Sequence, residues 1–491
     1  MAILMQSIDG TIANIALPHM QASLNATPDQ IAWVLTSYIV ASAIMIPLTG
    51  FLSIRFGRKR VFVLSIVGFT LSSALCGLAT SIDDMVLYRI LQGMSGAALV
   101  PLSQAMILDL YADHERGKAM SMWGLGIMIG PIMGPTLGGY LTEYYDWRWV
   151  FFINLPVGIA ATFIMARYAT ETPLNHTRKF AAWGFFMLAV SVGCLQLMLD
   201  RGESEGWFTS TEIIIWGAVA FVGIYLFVTH MMTSDNPFID LRILKDRNFM
   251  IGSFLFFSVT LIMFTVLALT PLMLQNLLGY PVVDAGFLIA PRGFGMMMGM
   301  VIGGRLADHV DGRHLMAFGL LLNVISLYEM TNFSLTMSSW PIVWTGVVQG
   351  LGIGLVFVLI NILSYETLPM ALRSEATAIA NAIKTLGSSI GISIIFTLLI
   401  RNTQKNMALL SENVTNANEM MHSPHLPALW DLTTEQGRAM MNWEIGRQAQ
   451  MMAYITDFQY ILIATIFSIP LVYTIKKRQK HTLNATQAAA E

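Results

Sequence analysis

The chain has 491 residues, of which 55% are hydrophobic and only 12% are charged, and its formal net charge at pH 7 is -2. In soluble globular proteins about a quarter of the residues are charged, so this composition excludes an ordinary globular domain and favours a polytopic membrane protein. The near-neutral charge predicts no nucleic-acid partner. Cys76 and Cys194 lie in apolar runs without histidines at metal-binding spacing, so we expect neither a disulfide nor a metal site.

Runs of about twenty apolar residues predict fourteen membrane-spanning helices. No cleavable signal is visible, and only eight residues precede Asp9, so we expect a late start site or a first helix that reaches the inner surface poorly. The predicted spans are 1–19, 30–53, 61–80, 85–109, 118–141, 149–169, 181–199, 211–232, 249–274, 284–306, 314–333, 340–364, 375–400 and 453–475.

The distribution of Lys and Arg predicts the orientation of these spans. If the amino end is cytoplasmic, the short inner loops and the tail carry most basic residues, and the short outer loops carry only Arg148 and Arg201. The positive-inside rule therefore places both termini in the cytoplasm of a bacterial cell, as expected for a multi-pass inner-membrane protein. The long segment 401–452 would face the periplasm, because long loops cross the membrane regardless of their charge.

The chain repeats itself loosely at an offset of about 255 residues. The string GFLSIRFGRKR follows span 2, and GRLADHVDGRH follows span 10; likewise Gln92-Gly93 has a counterpart in Gln349-Gly350. We therefore predict two six-helix bundles, residues 1–170 and 241–491, separated by an inserted helix pair in residues 171–240. The substrate path would lie between the bundles.

Predicted span 5 carries glycines at every fourth residue, and these fall on one side of a helix. Such a ridge lets another helix approach closely, and two prolines at the same interval make the contact bendable. A plain packing helix with small residues is the alternative interpretation. The residues concerned are Gly126, Gly130, Pro131, Gly134, Pro135, Gly138 and Gly139.

Asp9 lies near the predicted middle of span 1, where a charge costs roughly 2.5–3.5 kcal/mol on insertion scales. Burial disfavours the charged form of a carboxyl group, so Asp9 is a candidate for binding and releasing protons. A structural acid that is hydrogen-bonded to a neighbouring helix is the alternative. Asn14, further along the same helix, could line the same cavity.

Arg89 is the second embedded charge, in the string R-I-L-Q-G-M-S-G of span 4. Arginine does not deprotonate in practice, so we expect it to bias a nearby carboxylate, with Gln92 helping to orient it. An arginine that extends to the membrane surface is the alternative. Gly346 stands at the corresponding place of the second half, so proton chemistry is expected only in the first bundle.

Three further embedded polar side chains are candidates for lining a cavity. Arg292 lies at the start of span 10 and Lys384 in span 13, and either could instead brace neighbouring helices. Glu329 is interpreted as lying deep in span 11, as a second carboxyl that could take part in proton movement.

Several of these strings together resemble a known family. The run G-x-x-x-G-P-x-x-G-G from Gly130 to Gly139 resembles the antiporter motif of exporters in the major facilitator superfamily. The strings around Asp9 and Arg89, the string DWRWVFFINLPVG, and LDRG followed by WF resemble the fourteen-span drug:proton antiporters of the EmrB/QacA type. This resemblance implies an all-α major facilitator fold, and it implicates Asp9 and Arg89 in proton coupling.

The string GFLSIRFGRKR also resembles the superfamily's inner-loop motif, which latches the two bundles in the outward-facing state. Ile54 stands where that motif usually has Asp, whereas the second copy keeps Asp308. We therefore expect the second loop to bear more of the latching, or the first to work by charge alone; ordinary positive-inside anchoring is the alternative. The candidate latch residues are Gly50, Gly57, Arg58, Lys59, Asp308 and Arg313.

The resemblance implies a proton-driven exporter of small hydrophobic toxic compounds. It would need no cofactor and would take its energy from the proton gradient. Its partners would be membrane lipids and possible periplasmic adaptor and outer-membrane channel proteins. No P-loop or catalytic triad is visible, so ATP hydrolysis is not supported and we do not expect an enzyme. The alternatives are a narrow exporter of one metabolite or a siderophore, and a non-transporting membrane sensor or scaffold.

Overall fold

A computed structural model of the chain describes residues 1–111, 115–171, 180–234, 236–307, 309–412, 414 and 434–475, and every regular element in these ranges is helical. The first helices are α1 (Ala2–Ser23), α2 (Pro28–Phe56), α3 (Arg58–Gly77), α4 (Ile82–Gly96), α5 (Leu99–Leu110), α6 (Arg116–Tyr144), α7 (Trp149–Phe152) and α8 (Asn154–Tyr168). They are followed by α9 (Ala182–Arg201), α10 (Thr211–Thr233), α11 (Leu241–Lys245), α12 (Arg247–Leu272), α13 (Val282–Leu306), α14 (Gly312–Met330), α15 (Trp340–Leu363), α16 (Met370–Glu412) and α17 (Glu435–Val472).

Eleven helices within the described ranges are long and apolar enough to cross a membrane, if α4 with α5 and α7 with α8 are each counted as one span. The chain is therefore an all-helical multi-pass membrane protein. The helices α1, α6 and α14 coincide with predicted spans 1, 5 and 11 but are not among the eleven. The count of fourteen spans consequently stays a prediction.

Two predicted spans are interrupted, and a proline accounts for each interruption. Pro101 is the third residue of α5 and lacks the N–H that would bond to the carbonyl of Ala97, so the span divides between Gly96 and Leu99. Pro156 is the third residue of α8 in the same way, and the chain divides there at Ile153. The second interruption places Asn154 at the start of α8.

The segment 401–452 is more helical than the sequence analysis predicts. Within the described residues, α16 continues to Glu412 and α17 begins at Glu435, well beyond predicted spans 375–400 and 453–475. The Asn406 side chain donates a hydrogen bond to the carbonyl of Ala449, 3.3 Å away, so the two extensions contact each other. Apolar periodicity does not predict these turns, because their residues are polar although many of them are good helix formers.

The packing of helices in the first half recurs in the second half. In the first bundle α1 packs on α6, α2 on α4, and α3 on both α4 and α8. In the second, α12 packs on α16, α13 on α15, and α14 on both α15 and α17. Each pair in one bundle has a counterpart at the same position in the order of spans, as expected for two structural repeats.

The inserted pair, α9 and α10, lies against both bundles through α9. This helix contacts α2 of the first bundle and α16 of the second. Thr36 on α2 donates to the carboxylate of Asp200, and Gln196 donates to the hydroxyl of Ser389, 2.9 Å away. The pair therefore covers one side of the seam between the bundles.

Close contacts between the bundles lie near the turn from α2 to α3, and we call this end of the protein the Gly57 side. A Cβ atom on Gly117 of α6 would lie 2.3 Å from the carbonyl oxygen of Gly304 on α13. A Cβ atom on Gly50 of α2 would lie 2.8 Å from the Cα of Glu375 on α16. Only glycine permits backbones to approach so closely, and the seam is closed here.

Candidate functional site

The buried charges of the first bundle meet in one cluster around Asp9. The Asp9 side chain is fully buried, and its Oδ2 accepts a hydrogen bond from Arg89 Nη1 at 2.9 Å. Its Oδ1 accepts from Gln92 Nε2 at 2.8 Å and from Asn154 Nδ2 at 2.9 Å. The carboxylate on α1 is thus held by α4 and α8, and every contact comes from a donor. We call Asp9, Arg89, Gln92 and Asn154 the Asp9 cluster.

Arg89 is itself fixed on several sides. Its Nε donates to the carbonyl of Val34 at 3.0 Å, and its Nη1 donates to Gln92 Oε1 at 2.7 Å. The guanidinium lies 4.2 Å from the centre of the Tyr38 ring. Arg89 and Gln92 are three residues apart on α4, so they lie on the same face and can reach the same carboxylate. Arg89 is only 1% exposed, which excludes the surface-seeking arginine considered above.

The glycine ridge of α6 packs on α1, the helix that carries Asp9. A Cβ atom on Gly130 would lie 2.2 Å from Ser7 Oγ, and one on Gly134 would lie 2.1 Å from Thr11 Oγ1. Thr11 also donates to the carbonyl of Gly130 at 3.1 Å. Ser7 and Thr11 flank Asp9 in sequence, so the ridge supports the turn of α1 that carries the acid.

Not every member of the predicted ridge takes part. A Cβ atom on Gly138 would lie 2.9 Å from Ile12, whereas Cβ atoms on Gly126 and Gly139 would meet no described atom within 4 Å. The prediction that Gly126 belongs to the contact ridge is therefore wrong: Gly126 keeps the spacing, but no described atom packs against its free side. The backbone of α6 is helical through Pro131 and Pro135, whose side chains lie outside the description.

The predicted inner-loop latch is built on the first loop. Arg58 Nη1 lies 2.6 Å from Asp109 Oδ2, and Arg58 Nε donates to Ser374 Oγ at 3.0 Å. Arg373 Nη1 binds the other oxygen of Asp109 at 3.0 Å. Asp109 on α5 thus joins an arginine of each bundle and supplies the carboxylate that Ile54 lacks.

Other predicted latch residues have local roles. Gly57 has φ +94°, a conformation that favours glycine, and the backbone N–H of Lys59 donates to Glu171 Oε1 at 2.9 Å. Arg313 pairs with Asp311, two residues before it, at 2.9 Å. Asp308 lies outside the described residues. The expectation that the second loop bears more of the latching therefore stays a prediction. Within the described residues, Arg58 of the first loop bonds across to Ser374 of the second bundle.

Lys384 is enclosed by aromatic rings where the bundles meet. Its Nζ lies 4.0 Å from the ring centre of Phe256, 5.3 Å from that of Phe357 and 5.8 Å from that of Trp123. The side chain is 8% exposed, and Nζ has no hydrogen-bond partner among the described residues. We call these four residues the Lys384 box.

The remaining predicted cavity residues lie apart from these groups. Arg292 is buried on α13. A Cβ atom on Gly346, which stands where the second half lacks an arginine like Arg89, would lie 3.4 Å from the Cβ of Arg292. Arg292 therefore lies next to the position that corresponds to Arg89. Asn14 is exposed and does not share the surroundings of Asp9, because five residues turn it well away from Asp9 around the helix. Glu329 is half-buried, one residue before the end of α14, and not deep in the span as predicted.

Several polar side chains at the sites are not predicted from the sequence. Asn154 and Asp109 were passed over because an uncharged amide and an acid at a span end carry no strong signal. Asp457 on α17 is fully buried, and neither carboxylate oxygen has a hydrogen-bond partner in the part of the chain described. Asp457 is a lone acid in the apolar span 453–475, so the criterion that selects Asp9 also selects Asp457.

Two bundles with matching helix pairs, a buried acid and arginine pair in one of them and an ion-paired contact between them define a polytopic membrane transporter. The chain belongs to the Major Facilitator Superfamily, which matches residues 1–392.

Curated relatives cover almost the whole chain. It is 34% identical over 452 residues to the "Multidrug export protein EmrB" of Escherichia coli K12, covering 91% of this chain and 88% of the relative. It is 31% identical over 479 residues to the "Fatty acid resistance protein FarB" of Neisseria gonorrhoeae, covering 97% and 94%. The chain is thus an EmrB-type member of the superfamily.

The fold agrees with solved structures of the superfamily. A crystal structure of a double tryptophan mutant of XylE matches with a TM-score of 0.64 at 16% identity, covering 100% of this chain and 97% of that one. At this identity the likeness concerns the fold alone.

Proposed function

We propose that this protein is a proton-driven multidrug exporter of the bacterial inner membrane, with both termini in the cytoplasm, that exchanges hydrophobic toxic compounds for protons. The observation that carries the proposal is the Asp9 cluster: a fully buried carboxylate whose three bonds all come from donors on other helices. The names of the EmrB relatives support the multidrug cargo.

The geometry explains how a proton would act on this cluster. The ionised carboxylate accepts from Arg89, Gln92 and Asn154 and so ties α1 to α4 and α8. A protonated carboxyl is neutral and presents its own O–H donor, so at least one of these three donors loses its acceptor. Protonation therefore weakens the attachment of α1, which also contacts the glycine ridge of α6.

The closed Gly57 side supports a place for this structure in the transport cycle. If the Gly57 side is cytoplasmic, the bonds of Asp109 to Arg58 and Arg373 hold the outward-facing state. Protons would then reach Asp9 from the periplasm as the compound leaves. Protonation of Asp9 shifts the equilibrium between the inward-facing and outward-facing states only if Asp9 interacts differently with its surroundings in the two states.

The helical extensions of α16 and α17 support a further partner. They project beyond the predicted spans on the side opposite Gly57, which is the periplasmic side in this orientation. A periplasmic adaptor that leads to an outer-membrane channel would contact this hairpin.

The test is an efflux screen followed by a proton assay. A chemically varied panel in a host depleted of its own exporters identifies exported compounds, and export of many unrelated compounds is expected. Adding such a compound to weakly buffered purified protein should release protons from wild type and not from Asp9→Asn. A single exported compound would favour the narrow exporter, and absence of proton release with every compound would favour the scaffold.

A further inference from the structure

The Lys384 box lies in the seam between the bundles, at about half the depth of the membrane. Lys384 is eleven residues after Arg373 on α16, which is about 16 Å along the helix axis. Its rings come from both bundles, since Trp123 is on α6 whereas Phe256 and Phe357 are on α12 and α15. The seam is where a major facilitator protein has to open.

A polar layer closes the seam between the box and the Gly57 side. Gln104 on α5 donates to the side chain of Asn361, and Asn381 donates to Gln104 Oε1 at 3.1 Å. Asn381 is three residues before Lys384, so this layer lies about one turn nearer the Gly57 side. The Lys384 box therefore lies about one turn beyond the closed layer, on the side away from Gly57.

The positive charge of the Lys384 ammonium is not compensated within the box. A buried ammonium without an acceptor is costly, and faces of aromatic rings offset only part of that cost. Asp9 does not compensate the charge of Lys384, because the donors that bind its carboxylate are Arg89, Gln92 and Asn154 of its own bundle. Lys384 Nζ has no acceptor among the described residues.

The same surroundings specify which kind of ligand would compensate this charge. Three aromatic rings accept an apolar body, while the ammonium accepts one negative charge and repels a positive one. A methionine at this position would pack against the rings equally well, so packing alone gives no reason for an ammonium here.

We propose that Lys384 binds the charged head of amphipathic organic anions, and that these anions are the preferred cargo of this protein. The aromatic rings of the box contact the part of the anion next to its charge. This inference rests on the proposed export function and adds to it a residue that reads the charge of the cargo.

The experiment compares three probes that share a pyrenebutyl body and carry an anionic, a neutral or a cationic head group: pyrenebutanesulfonate, pyrenebutanol and pyrenebutyl-trimethylammonium. Equilibrium binding is measured on the full chain in lipid nanodiscs, with binding to empty nanodiscs subtracted. Wild type should bind the sulfonate at least about tenfold more tightly than the alcohol, as expected for a charge-assisted contact, and the cation most weakly. Equal binding of the sulfonate and the alcohol by wild type would overturn the proposal.

The variants assign the preference to Lys384. Lys384→Met should bind the sulfonate and the alcohol equally, and Lys384→Arg should keep the preference. Lys405→Met is the matched control, because Lys405 is exposed on the outer extension of the same helix, and it should behave like wild type. Unchanged binding of the alcohol shows that a variant is folded, and if Lys384→Met does not fold, Lys384→Gln replaces it. A preference for the sulfonate that survives loss of the charge would refute the assignment.

Transport separates this inference from the proposed function. In proteoliposomes with a pH gradient, wild type should move the sulfonate at least about tenfold faster than the cation, a difference that Lys384→Met removes. If wild type moves the compounds found in the efflux screen but shows no preference for the anion, the inference fails and the export function stands. If no compound moves in response to the gradient, the export function itself fails.

Discussion

Asp9→Asn tests the Asp9 cluster most directly. The carboxylate accepts bonds of 2.8 to 2.9 Å from Arg89, Gln92 and Asn154. An asparagine keeps the shape but has a single acceptor oxygen, and its amino group faces at least one of these donors. Removing one partner of a buried ion pair costs about 3–5 kcal/mol because the other charge is left uncompensated, so we expect a loss of stability of this size.

The double variant Asp9→Asn with Arg89→Gln tests whether the lost stability comes from the uncompensated charge of Arg89. It removes both charges, so it should be more stable than Asp9→Asn alone, with a coupling energy of roughly 2 kcal/mol. The free energies of unfolding are measured by denaturant titration in mixed micelles. Asp83→Asn is the control, since Asp83 is exposed in the first turn of α4.

Transport completes this test. Asp9→Asn should abolish export driven by a pH gradient in proteoliposomes while the protein stays inserted, and the double variant should regain stability without regaining transport. Full stability together with full proton-driven export in Asp9→Asn would refute the role of the carboxyl group. Additive effects of the two substitutions would refute the ion pair as an energetic unit.

The remaining predictions concern contacts between helices. Gly134→Val should lower stability by about 1–3 kcal/mol through overpacking and slow transport, because its Cβ would meet Thr11. Gly139→Val is the control and should transport normally, because its Cβ would meet no described atom within 4 Å. Equal transport rates of the two variants in growing cells would show that the ridge contact is dispensable. Asp109→Asn should weaken closure of the Gly57 side and raise labelling of a cysteine at buried Thr377 from that side by about tenfold, equivalent to roughly 1.4 kcal/mol. Asp311→Asn, which removes the charge of the pair with Arg313, should leave the labelling unchanged. A rise equal to that of Asp109→Asn would disprove the latch.

The sequence predicts the fold class and the position of most helices because the bilayer leaves few options for an apolar chain. It also selects Asp9 and Arg89, since an embedded charge needs a partner, and their pairing follows from that need. Asn154 carries no charge, so the same reasoning does not select it. An amide in an apolar string is cheap enough to occur without a functional role, and only the interruption at Ile153 brings it to Asp9.

Contacts between bundles are much harder to infer from sequence. Asp109 replaces the carboxylate missing at Ile54 although it lies on another helix, and no spacing rule connects the two positions. The rings around Lys384 come from three helices that are distant in the chain. Gly126 shows the opposite error, because regular spacing predicts a face of the helix but not how closely the neighbouring helix approaches at each turn.

Helix α6 connects the proton site, the Lys384 box and the seam. Gly130 and Gly134 contact the turn of α1 that carries Asp9, Trp123 faces Lys384, and Gly117 meets α13 at the closed seam. Opening the Gly57 side has to separate Gly117 from α13, and the helix that moves there continues without a break through Trp123 to the ridge. Tightly packed contacts switch between discrete arrangements and do not stretch continuously. A proton on Asp9 and an anion at Lys384 would therefore bias one and the same movement of α6, which is the physical requirement for exchange of one for the other.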